Sequence, residues 1–187
     1  MHSIIKQRGN IIYMTIEDYI QLKAFARIDG ALLALVWTIS FAFYILGTSN
    51  PFFMLLGVAV AISTPFFVAS RLFRFRNKVL EGKLSFKRGF AYCIHIFLYA
   101  ALLFAVAQFV YFQFLDQGYI ASRISEVLSD PTMKQAIKAS GMEQSVNDAI
   151  LAIYKTRPID YAFSYFTTNI IIGIILSLPI AGFLKKS

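Results

Sequence analysis

Few residues in this sequence combine a reactive side chain with a setting that would make it work. Asp29 and His95 each lie within a long apolar run. An ionisable group there is costly unless it is paired or near water, and is a functional candidate for that reason. Asp29 could hold a proton or a cation. It also sits at the start of its run, where it can pair with Arg27 or with a loop cation. His95 lies about a turn into its run and could shuttle a proton, since an unperturbed imidazole titrates at ~6.5. The plainer reading is a neutral ring hydrogen-bonded inside a helix bundle. Gln108, Gln113 and Asn169 could form a polar seam with His95. Amide bonds between membrane helices are ordinary glue, at about 0.6 kcal/mol each, so a seam does not by itself predict a pore. The acids Asp116, Glu126 and Asp130 are the only set from which a membrane-surface acid–base pair could be drawn.

No motif adds to this list. The sequence has no phosphate-binding loop, no dinucleotide glycine fingerprint and no paired His/Cys ligand set. Its histidines are His2 and His95, and its one cysteine, Cys93, lies in an apolar run as a small hydrophobe would. No catalytic residue, metal or cofactor is expected, and the protein is read as non-enzymatic.

Two further features attract attention. Arg71, Arg74, Arg76 and Lys78 form one basic cluster, and Lys83, Lys87 and Arg88 form another. Such clusters bind anionic lipid headgroups at roughly 1 kcal/mol per residue near a membrane surface, and they also fix topology. Pro65, after Ser63-Thr64, falls inside an apolar run and is a candidate hinge.

The elements that carry these residues follow from hydropathy. The chain has 187 residues, 58% of them hydrophobic and only 15% charged, with a mean hydropathy of +0.63. A soluble domain of this size cannot hide so much apolar surface. Four runs, 28–46, 52–70, 90–115 and 161–184, are long enough to cross a bilayer as helices. The expected fold is an all-α integral membrane protein of one domain, residues 14–187. Residues 117–157 form a short amphipathic helical insertion between the third and fourth spans. Asp130-Pro131 reads as a helix start there, and two apolar stripes, Ile120 to Leu128 and Met142 to Ile153, suggest an amphipathic pair. Residues 1–13 are patternless and are read as a disordered tail or as the product of an upstream start, with Met14 the true initiator. No signal peptide is visible.

Lys and Arg are plentiful before the first span, in the second connection and at the C-terminus, and absent from the first turn. The positive-inside rule then places both termini in the cytoplasm. The formal charge of +8 is topological and does not point to nucleic acid.

The run Arg74-Phe75-Arg76, then Glu81-Gly82, Ser85-Phe86 and Gly89-Phe90, resembles a family of small bacterial membrane proteins of unknown function. Phe109-Val110-Tyr111-Phe112 is similar to it too, as is Ile172 to Leu178 leading into Phe183-Leu184-Lys185-Lys186. The resemblance implies four helices, an amphipathic insertion and a bacterial inner membrane, and it brings no activity. These observations favour a non-catalytic accessory subunit binding another envelope protein or lipid. The rivals are an oligomeric small-solute or ion transporter and, third, an enzyme on lipid-linked substrates.

Overall fold

The structure is a computed structural model and describes residues 15–186. Residues 1–13 and the start at Met14 lie outside the described residues. Apolar segments in hydrocarbon must satisfy every backbone polar group internally, so they fold as helices. Four spans result. The first is α1 (Ile16–Gly47). The second is α2 (Pro51–Ile62) followed, after a break, by α3 (Thr64–Val79). The third is α4 (Phe86–Val110), prolonged by a π-helical turn at Tyr111–Leu115. The fourth is α8 (Pro158–Leu184). All four are long and apolar enough to cross a membrane, and the protein is a multi-pass membrane protein. Between the last two spans lie α5 (Tyr119–Ser129), α6 (Pro131–Ala139) and α7 (Glu143–Lys155). No strand forms among the described residues; Leu84 and Lys186 make one isolated bridge.

Several boundaries differ from the hydropathy runs, each for a local reason. Helix α1 begins at Ile16, not Ile28, because Thr15 and Asp18 close a capping box around its first turn. Its 32 residues extend about 48 Å, well beyond a hydrocarbon core of ~30 Å. The second span continues through Val79, so Arg71, Arg74, Arg76 and Lys78 are helical and do not lie in a loop. Ser85 caps α4 through the backbone N–H of Arg88. The insertion has three helices where the two apolar stripes suggested a pair.

Helix α4 is the centre of the bundle, packed on α1 and on α8; α1 also packs on α2. Two glycines permit this closeness. A Cβ on Gly30 would lie 2.8 Å from the carbonyl oxygen of Ile96 on α4, and one on Gly173 would lie 2.5 Å from Cγ of Phe97. The buried core runs through Leu22, Leu33, Val68, Leu72, Tyr92 and Ile96. At one end of the bundle α3 closes against α8. The chain breaks at Ser63, whose hydroxyl donates to the Val60 carbonyl at 2.6 Å. The break lets α3 fold back to α8 while α2 diverges from it.

The end carrying the start of α1, the α3–α4 turn and the end of α8 is basic. It is knitted by Arg88 to Asp18 at 3.1 Å, by Arg76 to the Leu184 carbonyl at 3.1 Å, and by backbone bonds between Leu84 and Lys186. The α5–α7 insertion covers the far end.

Candidate functional site

Polar residues within the spans fall into two groups. The first group is fully engaged. On α1, Asp29 accepts a hydrogen bond from the Tyr92 hydroxyl of α4 at 2.5 Å, and its other oxygen lies 3.5 Å from the Arg71 guanidinium of α3. The cation is therefore Arg71, not Arg27. The Tyr92 ring stacks on Phe75 at 4.3 Å, which holds the phenol in place. One carboxylate thus ties three helices. His95 shares its Nε2 with the Tyr19 hydroxyl at 3.2 Å and its Nδ1 with the Ala91 carbonyl at 2.7 Å. The carbonyl can only accept, so Nδ1 donates to it and Nε2 faces the Tyr19 hydroxyl. His95 does not join a seam with Gln108, Gln113 and Asn169. Gln113 is exposed on the π turn.

The second group is not engaged. Gln108 on α4 is completely buried, and neither its amide nitrogen nor its amide oxygen has a hydrogen-bond partner. The amide nitrogen of Asn169 on α8 is likewise buried and unpartnered. A buried amide without partners costs about 1–3 kcal/mol, so this pair demands a physical account.

Both line one groove. Its walls are α2, with Gly57 and Ala61, and the stripe Tyr165, Asn169, Ile172 and Leu176 of α8; Trp37, Phe104 and Gln108 form the floor. The volume is about 640 Å³, within the range of small-molecule sites. The groove exists because α2 leaves α8 above the Ser63 break, and Pro65 lines its inner end. Trp37 is fixed there by donating to the Thr64 hydroxyl at 3.0 Å. Pro65 therefore helps shape a cavity in this structure.

Above the groove lies a second chamber of about 360 Å³, roofed by α5 and α7. The two share Phe41, Tyr44 and Tyr165 as lining. The roof is anchored. Arg123 donates to the Thr48 carbonyl at 3.0 Å, and the Tyr119 hydroxyl bonds Ser49 at 2.9 Å. Hydrogen bonds from Ser49 and Thr48 hold the Tyr119 phenol below its ordinary pKa. Phe112 stacks on Tyr161 at 4.5 Å, joining α4 to α8 beneath the roof.

The three insertion acids have structural partners. Asp116 accepts from the N–H groups of Gly118 and Ile120 and from the Tyr111 hydroxyl. Glu126 pairs with Arg123. Asp130 caps α6 through the N–H groups of Thr132 and Met133, and these bonds hold its carboxyl below the usual range. The basic residues divide similarly. Arg71, Arg76 and Arg88 are bonded within the bundle, whereas Arg74, Lys78, Lys83 and Lys87 are exposed. Among the described residues no group of His, Cys, Asp and Glu is placed to hold a metal ion.

The sequence matches the family described as Protein of unknown function (DUF4199) over residues 29–186. The chain belongs to this DUF4199 family. No curated protein and no solved structure matches it. Four helical spans are thus the architecture of a DUF4199 chain, and the stretch matched to the family runs from the carboxylate of Asp29 to the bridge at Lys186. Sequence reasoning missed Tyr92 and Tyr19 as partners of Asp29 and His95. Each tyrosine lies on a different helix from the group it meets, so no local pattern pairs them.

Proposed function

We propose that this protein is a non-catalytic accessory component of a membrane lipid system that binds an amphiphile taken laterally from the bilayer. The observation that carries this reading is the groove between α2 and α8, apolar along its walls, with the unpartnered Gln108 and Asn169 among its lining residues. Buried polar groups are as a rule hydrogen-bonded, and the unpartnered amides of Gln108 and Asn169 both belong to residues that line this groove. Asp29 and His95 weigh against the transporter reading, since each is committed to holding helices together. By the charge distribution the basic end faces the cytoplasm of a bacterial inner membrane and the insertion faces outward. The exposed Arg74, Lys78, Lys83 and Lys87 then lie against anionic headgroups of the inner leaflet.

The test is native mass spectrometry of the full chain released from mild detergent. Wild type retains lipid through gentle activation, and Ala61→Phe, which fills the groove from an exposed position, loses it. Equal retention by the two proteins refutes the reading. Purification with crosslinking reports separately whether an envelope protein or a second copy of the chain accompanies it.

A further inference from the structure

The chamber beneath α5 and α7 contains a charge that the chain leaves without a counter-charge. Among the described residues Asp116 is the one buried charged side chain. Its carboxylate accepts from the N–H groups of Gly118 and Ile120 and from the Tyr111 hydroxyl. None of these donors is charged. The acids that meet a cation are others: Asp18, Asp29, Glu126 and Asp160. Burying a charge without its opposite is costly.

The surroundings do not offset Asp116. No Lys, Arg or His lines the chamber. Arg123 and Arg157, on the elements around it, are each neutralised by a neighbouring acid, Glu126 and Asp160. Lys155 is exposed and outside the lining. The helix ends cancel as well. Helices α5 and α8 present first-turn residues to the chamber, Ile120 and Tyr161, while α1 and α7 present last-turn residues, Tyr44 and Tyr154. The partial charges at the two kinds of end are opposite in sign and similar in size. The field inside the chamber is therefore negative.

The walls are aromatic. Phe41, Tyr44, Phe112, Tyr154, Tyr161 and Tyr165 reach the chamber from α1, the π turn, α7 and α8. An interfacial belt sets such rings around the outside of a bundle. Here six of them converge on one cavity of about 360 Å³, within the size range of small-molecule sites. Aromatic faces and a negative field both attract a cation.

We propose that this chamber binds a quaternary ammonium group, free in solution or carried by a lipid head. A primary ammonium needs acceptors for three N–H donors, and few remain: Asp116 already holds three donors, and the Ile153 carbonyl holds the Tyr161 hydroxyl at 3.0 Å. A hard metal ion needs several oxygen ligands, and Asp116 is the only carboxylate in the lining. A trimethylammonium group asks for no hydrogen bond. The Asp116 charge acts on it through space and need not touch it. The chamber is reachable, since Tyr44, Tyr154 and Tyr165 are 42%, 55% and 40% exposed. The proposal goes beyond the lipid reading of the α2–α8 groove and does not depend on it.

The test is isothermal titration calorimetry of the full chain in dodecyl maltoside, with choline chloride as the probe. The control is its uncharged isostere, with carbon in place of nitrogen, at matched ionic strength. Choline binds saturably, and the isostere binds at least about tenfold more weakly. Tyr154→Leu alters an exposed ring that lines the chamber and not the groove. It weakens choline about fivefold, the size of one cation–π contact, and leaves the isostere nearly unchanged. Asp116→Asn brings the two ligands within about threefold of each other; if that variant does not fold, Tyr154→Leu decides. Nanodiscs then separate the two sources. Competition with choline by phosphatidylcholine, and not by phosphatidylglycerol, assigns the site to a lipid head; competition by neither assigns it to a solute.

Equal binding of choline and isostere by wild type overturns the proposal, as does the absence of saturable choline binding at millimolar concentrations. A Tyr154→Leu variant that weakens both ligands alike overturns it too, because a merely structural ring acts that way. None of these results bears on the α2–α8 groove, which lipid retention reads separately.

Discussion

Replacing Tyr92 with Phe tests whether Asp29 is a structural clasp. The substitution keeps the ring, and with it the stack on Phe75 at 4.3 Å, and removes only the hydroxyl that donates to Asp29. Hydrogen bonds to charged groups contribute about 1.5–3 kcal/mol in folded proteins. Interhelical bonds measured in a membrane reach only about 1.7 kcal/mol, because the unfolded chain in the bilayer finds other partners. The two ranges meet near about 1.5 kcal/mol, which is the expected loss. Arg71→Gln should cost less. That pair is longer, at 3.5 Å, and the Arg71 side chain is 24% exposed, so water competes for it and about 0.5 kcal/mol is expected. Asp29→Ala removes both interactions and strands a buried phenol, for about 2–3 kcal/mol. Reversible unfolding in mixed detergent micelles, followed by circular dichroism, gives all three values. A double-mutant cycle isolates each coupling. If Arg71→Gln costs more than Tyr92→Phe, the cluster is an ion pair first and the clasp argument is refuted.

Gly173→Ala places a methyl within 2.5–2.9 Å of three Phe97 atoms. Overpacking of this kind costs about 1–3 kcal/mol; Phe97→Leu in the same chain should recover part of it, and the same unfolding assay reads both. Asp130 tests the insertion by pH. Its carboxyl pKa is lowered from 3.8 by the capping N–H groups of Thr132 and Met133. Its contribution to α6 is therefore complete above about 4 and is lost as pH falls through the lowered value. Amide exchange over residues 131–139 should accelerate in that acid window and, in Asp130→Ala, should be fast at neutral pH as well.

The spans were legible because a membrane crossing is a property of some twenty residues at once, and no tertiary contact is needed to read it. The start of α6 was legible for a similar reason: Asp130 acts on backbone groups within three residues of itself. Partners across helices were not. Asp29 and Tyr92 are 63 residues apart, and nothing local to either names the other. A seam joining His95 to Gln108 is ruled out by helix geometry alone. His95 and Gln108 lie about 140° apart around a helix of 3.6 residues per turn, so one side of α4 cannot present both. The full helical length of the second span was hidden because its last turns are basic, and hydropathy alone takes charge for loop.

What separates a site from a list of polar residues is which of them are left unsatisfied, and that depends on the break at Ser63. Below it α3 closes on α8, and the polar groups of that half, Asp29 and His95, find partners in the tightly packed helices. Above it α2 stands away from α8, and Gln108 and Asn169 lie beside the resulting groove with buried amide atoms that find no partner. A protein that only needed stability would carry leucine at both positions, since replacing a buried, partnerless amide with an apolar isostere is neutral or favourable. The unpartnered amides lie where the helices part, which is why the proposed ligand is sought in that groove and not at Asp29 or His95.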